Sequence, residues 1–229
     1  MMPFKYTSDL SKTTAQQQAE RLGVQYESLS IEPMYHAFLE QLMPVFEGLE
    51  PDTTEENIQA RCRGLTLMAY SNKTGRMVLT TGNKSEMSVG YATLYGDMVG
   101  GYNAIKDVPK VLVYELAKYR NTISPVIPER VITREPSAEL RPDQIDSDSL
   151  PPYEILDPIL ELYVEQDCPP AEIVKKGYAK EYVSQVIRMV DRNEYKRRQS
   201  APGVRITKRA FGRDRRYPIT SGFRPKVEW

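Results

Sequence analysis

The chain has 229 residues, which at about 100–200 residues per domain means one or two domains and enough material for a real core. Lys plus Arg number 31 and Asp plus Glu 31, and with 40% hydrophobic and 27% charged residues the composition excludes a disordered polyelectrolyte. A single histidine, His36, and two cysteines, Cys62 and Cys168, exclude a zinc centre built from several His and Cys and a disulfide framework, and they fit a reducing, cytoplasmic setting.

Ser11 to Leu22 reads as a helix, capped by Thr13 or Thr14 and stopped by Gly23. Val24 to Ile31 reads as a short strand with Tyr26, Leu29 and Ile31 as its apolar positions. Pro33 to Phe46 is an amphipathic helix, with Met34, Phe38, Leu39, Leu42 and Phe46 at helical spacing. Thr53-x-x-Glu56 is a capping box that opens a helix to about Tyr70, with Ile58, Cys62, Leu65 and Ala69 on one face. Arg76 to Thr81 is the next strand, followed by Gly82-Asn83-Lys84 and by Ser85 as the cap of a helix around Glu86 to Thr93. Val108 to Arg120 is a further helix with Pro109 in its first turn. Residues 121–152 are proline-rich and read as a long ordered loop or linker. Tyr153 to Val164 and Pro170 to Arg198 are helical, the whole in three segments, and the chain turns irregular after Pro202.

No stretch approaches the ~18–20 apolar residues of a membrane span, and Met1 to Tyr6 has no charged region followed by an apolar run, so neither a membrane anchor nor a leader is expected. Charge is balanced overall but uneven. Arg192 to Trp229 carries twelve Lys and Arg against three acids, a net +9, and prefers an anion: nucleotide phosphate, nucleic acid or the chain's own acidic part.

Strands alternating with helices argue for an α/β parallel sheet, in which ligands sit at the carboxyl ends of strands. That places attention on Leu79-Thr-Thr-Gly-Asn-Lys-Ser-Glu-Met-Ser-Val-Gly-Tyr-Ala-Thr-Leu-Tyr-Gly-Asp97. Thr81 puts a hydroxyl at a strand end, the amides of the next helix favour an anion, and Glu86 could hold Mg²⁺ together with phosphate oxygens. A Gly-Asn turn with a capped helix and a solvated Glu is the alternative on spacing alone.

The Thr-Gly-Asn-Lys-Ser-Glu block with its Gly-Tyr-x-Thr-x-Tyr-Gly-Asp run resembles the signature of NAD synthetases. Glu56 to Arg61 resembles the family's substrate helix, Arg134 to Tyr153 its phosphate-side loop, and Asn193 to Arg198 and Gly212 to Ile219 the C-terminal part of the glutamine-dependent branch. The resemblance implies an adenine-nucleotide alpha-hydrolase-like fold of the N-type ATP pyrophosphatase kind, incomplete at its N-terminus. Residues 1–150 would form the partial synthetase domain, and 151–229 its helical and irregular C-terminal extension with the basic tail.

The implied activity is ATP-dependent amidation of deamido-NAD. The nicotinate carboxylate is adenylated, pyrophosphate leaves, and ammonia displaces AMP. Position by position, the resemblance implies ATP contacts from Thr81, Lys110 and Ser137, deamido-NAD contacts from Asn57, Arg61, Glu86 and Lys196, and Mg²⁺ at Glu86. It implies small-molecule nucleotides as partners, a homodimer, and a nitrilase-like glutaminase domain in the longer enzyme, with no membrane and no nucleic acid. The family's Ser-Gly-Gly-x-Asp-Ser pyrophosphate loop does not occur in these 229 residues, so the chain reads as a piece that begins past the second strand and is inactive by itself. Two other classes stay open: an interaction module retaining part of a nucleotide site, and a nucleic-acid binder using the basic tail. Arg63, His36, Tyr91, Tyr95 and Tyr102 are read as structural or solvated, and Cys62 and Cys168 as small packed groups.

Overall fold

The computed structural model describes residues 1–223, so Arg224, Lys226 and Glu228 of the basic tail lie outside the described residues. Helix α1 spans Asp9–Leu22 and is capped by Ser8, not by Thr13 or Thr14, because the Ser8 hydroxyl accepts from the Ser11 amide at 3.1 Å; Gly23 ends it as expected. Residues 24–31 form no regular strand. Their strand-like backbone pairing is with the first three residues of the chain, through Leu29 N to Met1 O at 2.9 Å and Ile31 N to Pro3 O at 3.2 Å. With so short a partner the period-2 pattern buries Ile31 and leaves Leu29 exposed.

Helix α2 follows at Glu32–Phe46 and α3 at Thr53–Thr74. The capping box of α3 sits one residue earlier than expected: Asp52 Oδ1 accepts from Thr54 N at 2.7 Å and Glu55 Oε2 from Asp52 N at 2.8 Å. Its buried face is Ile58, Gln59, Ala60, Cys62 and Gly64, whereas Leu65 and Ala69 are exposed. Gly64 is required there, since a Cβ would lie 2.6 Å from the Tyr95 carbonyl oxygen.

Strand β1 is Leu79–Thr80 and pairs in parallel with β2, Tyr102–Asn103, in the register Leu79↔Tyr102 and Thr80↔Asn103. The expected strand from Arg76 to Thr81 is thus cut to two residues, with Gly101 N donating to Val78 O at 2.9 Å just before it. Parallel pairing needs a long crossover. That crossover contains α4, Lys84–Val89, and the loop that follows it. Asn103 also bridges in parallel to Gly203, which brings the C-terminal segment to the sheet.

Helix α5 is Lys110–Ile123. The proline-rich stretch holds α6, Glu129–Thr133, and a single 3₁₀ turn, Asp146–Asp148. Helix α7, Tyr153–Leu160, runs into a π turn at Glu161–Glu165. Three more helices follow, α8 at Pro170–Lys175, α9 at Lys180–Arg192 and α10 at Glu194–Arg197, so with α7 the stretches expected as three segments in all divide into four helices. The main apolar core joins Val89 of α4 to Leu156, Ile159 and Leu160 of α7 and to Val183, Val186, Ile187 and Val190 of α9. A second core packs Phe4, Ile31, Tyr35, Ile58 and Cys62 under the N-terminal residues. Among the described residues no helix is long and apolar enough to cross a membrane.

Candidate functional site

Helix α4 begins where Asn83 closes a capping box. Its Oδ1 accepts from Glu86 N at 3.0 Å and its own amide donates to Glu86 Oε2 at 3.2 Å. Ser85 is therefore not the cap. It is wholly buried and turned toward α7. Two amides expected to face an anion are already engaged, Lys84 N by Val108 O at 2.9 Å and Glu86 N by Asn83. Side chains add the charges that this part of the fold offers a ligand.

Those side chains line a cavity of about 570 Å³ between α1, α4, α5 and the 130–146 loop. Glu86, Lys110 and Ser137, three of the expected site residues, all face it, together with Arg130, Arg134, Asp97 and Asp146. The Lys110 Nζ donates to Glu86 Oε1 at 3.1 Å and stands 5.3 Å from the Tyr153 ring centre. Burial pulls the Lys110 ammonium down, but Glu86 overrides it and leaves the group raised. The Ser137 hydroxyl donates to Gln144 O and accepts from Glu139 N at 3.1 Å, which orders the loop locally. Arg134 Nη2 bonds Glu139 Oε1 at 2.6 Å, and the Ser8 and Ser11 hydroxyls bond the same oxygen, tying this loop to α1.

Two carboxyl groups were not singled out by residue type, although both lie inside blocks that carry the resemblance. Asp97 is pushed up to about 6 by burial, opposed by the Thr93 amide that donates to it at 2.7 Å and reinforced by the nearby Glu86 charge. Asp146 is buried and accepts from the Tyr153 hydroxyl at 2.8 Å through Oδ2, while no described group hydrogen-bonds its Oδ1. Burial and Asp146 push the Tyr91 and Tyr153 phenols up.

The other expected site residues gather elsewhere. Asn57 Oδ1 accepts from Thr93 Oγ1 at 3.0 Å, Arg61 Nε donates to Leu94 O at 3.3 Å, and Lys196 Nζ donates to Gly90 O and Ala92 O at 2.8 and 2.7 Å. All three hold the 90–97 loop, whose last residue is Asp97. Thr81 is exposed and does not line the cavity. Arg63 is not a solvated charge: it is half-buried and its Nε donates to Met2 O at 3.0 Å. His36 is exposed beside Glu32, Cys62 is buried, and Cys168 packs against the main core. Part of the tail's charge is answered within the chain, with Arg209 and Arg215 on Asp167 and Arg205 on Asp214.

Fold and cavity define the class: a parallel-sheet α/β protein with a cation-lined and carboxylate-lined cleft beside the sheet's crossover helix. A glutamine-dependent NAD(+) synthetase from Cytophaga hutchinsonii has this fold, with a TM-score of 0.81 at 24% identity over 96% of this chain and 38% of that one. The family model for NAD synthase matches residues 1–200, and the chain belongs to that family.

Among curated relatives, the glutamine-dependent NAD(+) synthetase of Acinetobacter baylyi is 60% identical over 98% of this chain and 42% of its own length. That of Thermotoga maritima is 52% identical over 98% and 39%. The solved enzyme from Acinetobacter baumannii, in complex with adenosine diphosphate, is 55% identical over 97% of this chain and 40% of that one, with a TM-score of 0.59. The chain thus spans about two fifths of the length of these relatives.

Proposed function

We propose that this chain serves NAD biosynthesis as part of a synthetase that amidates deamido-NAD at the expense of ATP. In this reading ATP adenylates the nicotinate carboxylate and releases pyrophosphate, and ammonia then displaces AMP. The single observation that carries it is the Lys110–Glu86 pair in one cavity with Ser137, in a chain of the NAD synthase family. Lys110 and Ser137 contact the triphosphate from the cavity they line, and Thr81, which does not line it, contacts ATP from the carboxyl end of β1, the side on which parallel sheets bind ligands. Asn57, Arg61 and Lys196 serve deamido-NAD by shaping the 90–97 loop, and Glu86 faces both substrates.

Magnesium fits the donor set. Mg²⁺ is commonly held by one or two carboxylates plus substrate phosphates. Glu86, which lines the cavity, offers a hard oxygen ligand. Bound there, the ion would neutralise charge on the phosphates.

Ammonia is supplied from glutamine by a separate nitrilase-like domain of the longer enzyme, which acts as a homodimer in the cytoplasm. Residues 1–150 and 151–229 work as one domain, a reading supported by the core that joins Val89 to α7 and α9.

A second reading, an incompetent fragment or interaction module that keeps part of the nucleotide site, draws on exposed apolar groups beside the sheet, with Met77 68% and Leu79 61% exposed. Calorimetry with ATP and Mg²⁺, and NAD formation from deamido-NAD, ATP, Mg²⁺ and ammonium, separate the two. Saturable ATP binding with little or no NAD is expected of the 229 residues. Absence of ATP binding overturns the site, and robust NAD formation overturns the need for the pyrophosphate loop.

A further inference from the structure

The first turn of α5 is built against expectation. Pro109 occupies the N-cap position and offers no side-chain acceptor, so the leading amides of the helix would be orphaned. Lys110 stands in that turn, where the positive end of the helix dipole opposes a cation. Two residues from elsewhere resolve both conflicts. Lys110 N donates to Ser85 Oγ at 2.8 Å and Val111 N donates to Asp157 Oδ2 at 2.9 Å. The Ser85 hydroxyl in turn donates to Asp157 Oδ1.

One carboxylate on α7 therefore holds the start of α5 directly and grips α4 through Ser85. Ser85 is the chain neighbour of Glu86, and Lys110 is the residue whose amide Ser85 accepts. The backbone positions of both partners in the 3.1 Å Lys110–Glu86 pair are set by the same side-chain pair. Asp157 and Ser85 do not line the site cavity themselves. Their influence on it passes through Lys110 and Glu86.

We propose that Asp157, acting with Ser85, is the positioning residue that fixes the Lys110 amine against Glu86. What this does for phosphate binding rests on the function proposed above; the placement of the amine does not.

The test reads the amine itself. The 229-residue chain is acetylated briefly at pH 8 with acetic anhydride, and the extent at each lysine is read by mass spectrometry. Lys106 and Lys196, both partly buried and bonded to carbonyls on other elements, serve as internal controls. Asp157→Ala and Ser85→Ala are each expected to raise the labelling rate of Lys110 about tenfold, the change that accompanies one unit of pKa, with the controls unchanged. Asp157→Asn keeps an acceptor for Val111 N and is expected to stay within about threefold of the parent, by the same conversion.

An unchanged Lys110 rate in the Ala variants overturns the proposal. So does an Asn variant that behaves like Ala, because the effect would then be the field of the charge and not position. A parallel rise at all three lysines, or loss of the cooperative melt in both Ala variants, also overturns it, since the pair would then hold the fold and not the amine. Repeating the labelling with ATP and Mg²⁺ keeps the two readings apart. If ATP fails to protect Lys110 while the variants still act selectively, the nucleotide assignment falls and the positioning role stands.

Discussion

The Lys110 Nζ lies 3.1 Å from Glu86 Oε1, and the two side chains come from the first turns of two helices, α5 and α4, whose starts are 26 positions apart in the chain. Two opposite charges that bury each other's contact in a cleft stay available to a third party. An incoming phosphate can take the ammonium, and a divalent cation can take the carboxylate. The first prediction follows from that pair. Lys110→Ala is expected to weaken ATP binding about 10- to 100-fold, the worth of a charge-assisted hydrogen bond of about 1.5–3 kcal/mol. Calorimetry with ATP and Mg²⁺ reads it. An affinity within twofold of the parent removes Lys110 from the site.

Lys84 sits two residues before Glu86 and turns the opposite way. Its buried ammonium meets Asp107 Oδ1 at 3.1 Å, Glu165 Oε1 at 2.8 Å and the Arg209 carbonyl oxygen at 2.9 Å. Asp107 also accepts from the Ile206 and Thr207 amides, at 2.8 and 2.7 Å. Lys84→Met leaves two buried carboxylates uncompensated, and a loss of about 3–5 kcal/mol in unfolding free energy is expected. Urea titration measures it. Faster tryptic cleavage after Arg205 and Lys208 should accompany it, because the same cluster anchors that segment.

Asp97 predicts a pH dependence with a definite sign. Its carboxyl is pushed up to about 6 from 3.8, so between those values the folded protein holds more protons than the unfolded chain. Stability from this group is therefore present below about pH 3.8 and is lost as pH rises through about 6. Asp97→Asn, which keeps an acceptor for the Thr93 amide, is expected to raise stability by about 1–3 kcal/mol at pH 8. The gain should shrink toward pH 4. Melting curves across this range decide the matter, and a gain independent of pH would assign the proton to another group.

Gly90 ends α4 at φ +72°, and a Cβ there would lie 2.1 Å from Asn193 Cγ. Gly90→Ala is expected to cost about 1–3 kcal/mol, combining the strained backbone with overpacking. It should also detach Asn193, whose Nδ2 donates to Val89 O at 2.8 Å. The denaturation midpoint reports the cost. A neutral variant would mean that the 90–97 loop tolerates movement at its root.

The basic tail should not make this chain a nucleic-acid binder. Arg205, Arg209 and Arg215 are spent on Asp214 and Asp167. Electrophoretic mobility shift at about 150 mM salt is expected to find no DNA or RNA complex, and a complex whose affinity falls steeply with salt would contradict this.

Much of this protein was legible from residue types alone. Helix α2 and the gathering of Glu86, Lys110 and Ser137 on one cavity could be anticipated from local pattern and from long family-like blocks, whereas Thr81 does not line that cavity. Such features are written in short windows: apolar spacing, proline position, a run of matching residues. Strand extent was not. The strand expected at 24–31 did not form, and the one at 76–81 shrank to Leu79–Thr80, because a strand exists only as far as a partner reaches it.

Caps moved for a similar reason. Asn83 and Ser85 are both competent cap residues, and what separates them is Asp157, 72 residues on, which draws the Ser85 hydroxyl inward and leaves Asn83 to close α4. Asp97 and Asp146 passed unremarked because a carboxylate's significance lies in its burial and neighbours, which no linear spacing encodes. Composition and local pattern therefore determined which helices form and which family the residues resemble. Only the tertiary structure decided which charges are buried, which are paired and which face the cleft, since desolvation and Coulomb energy depend on distances through space between residues far apart in the chain.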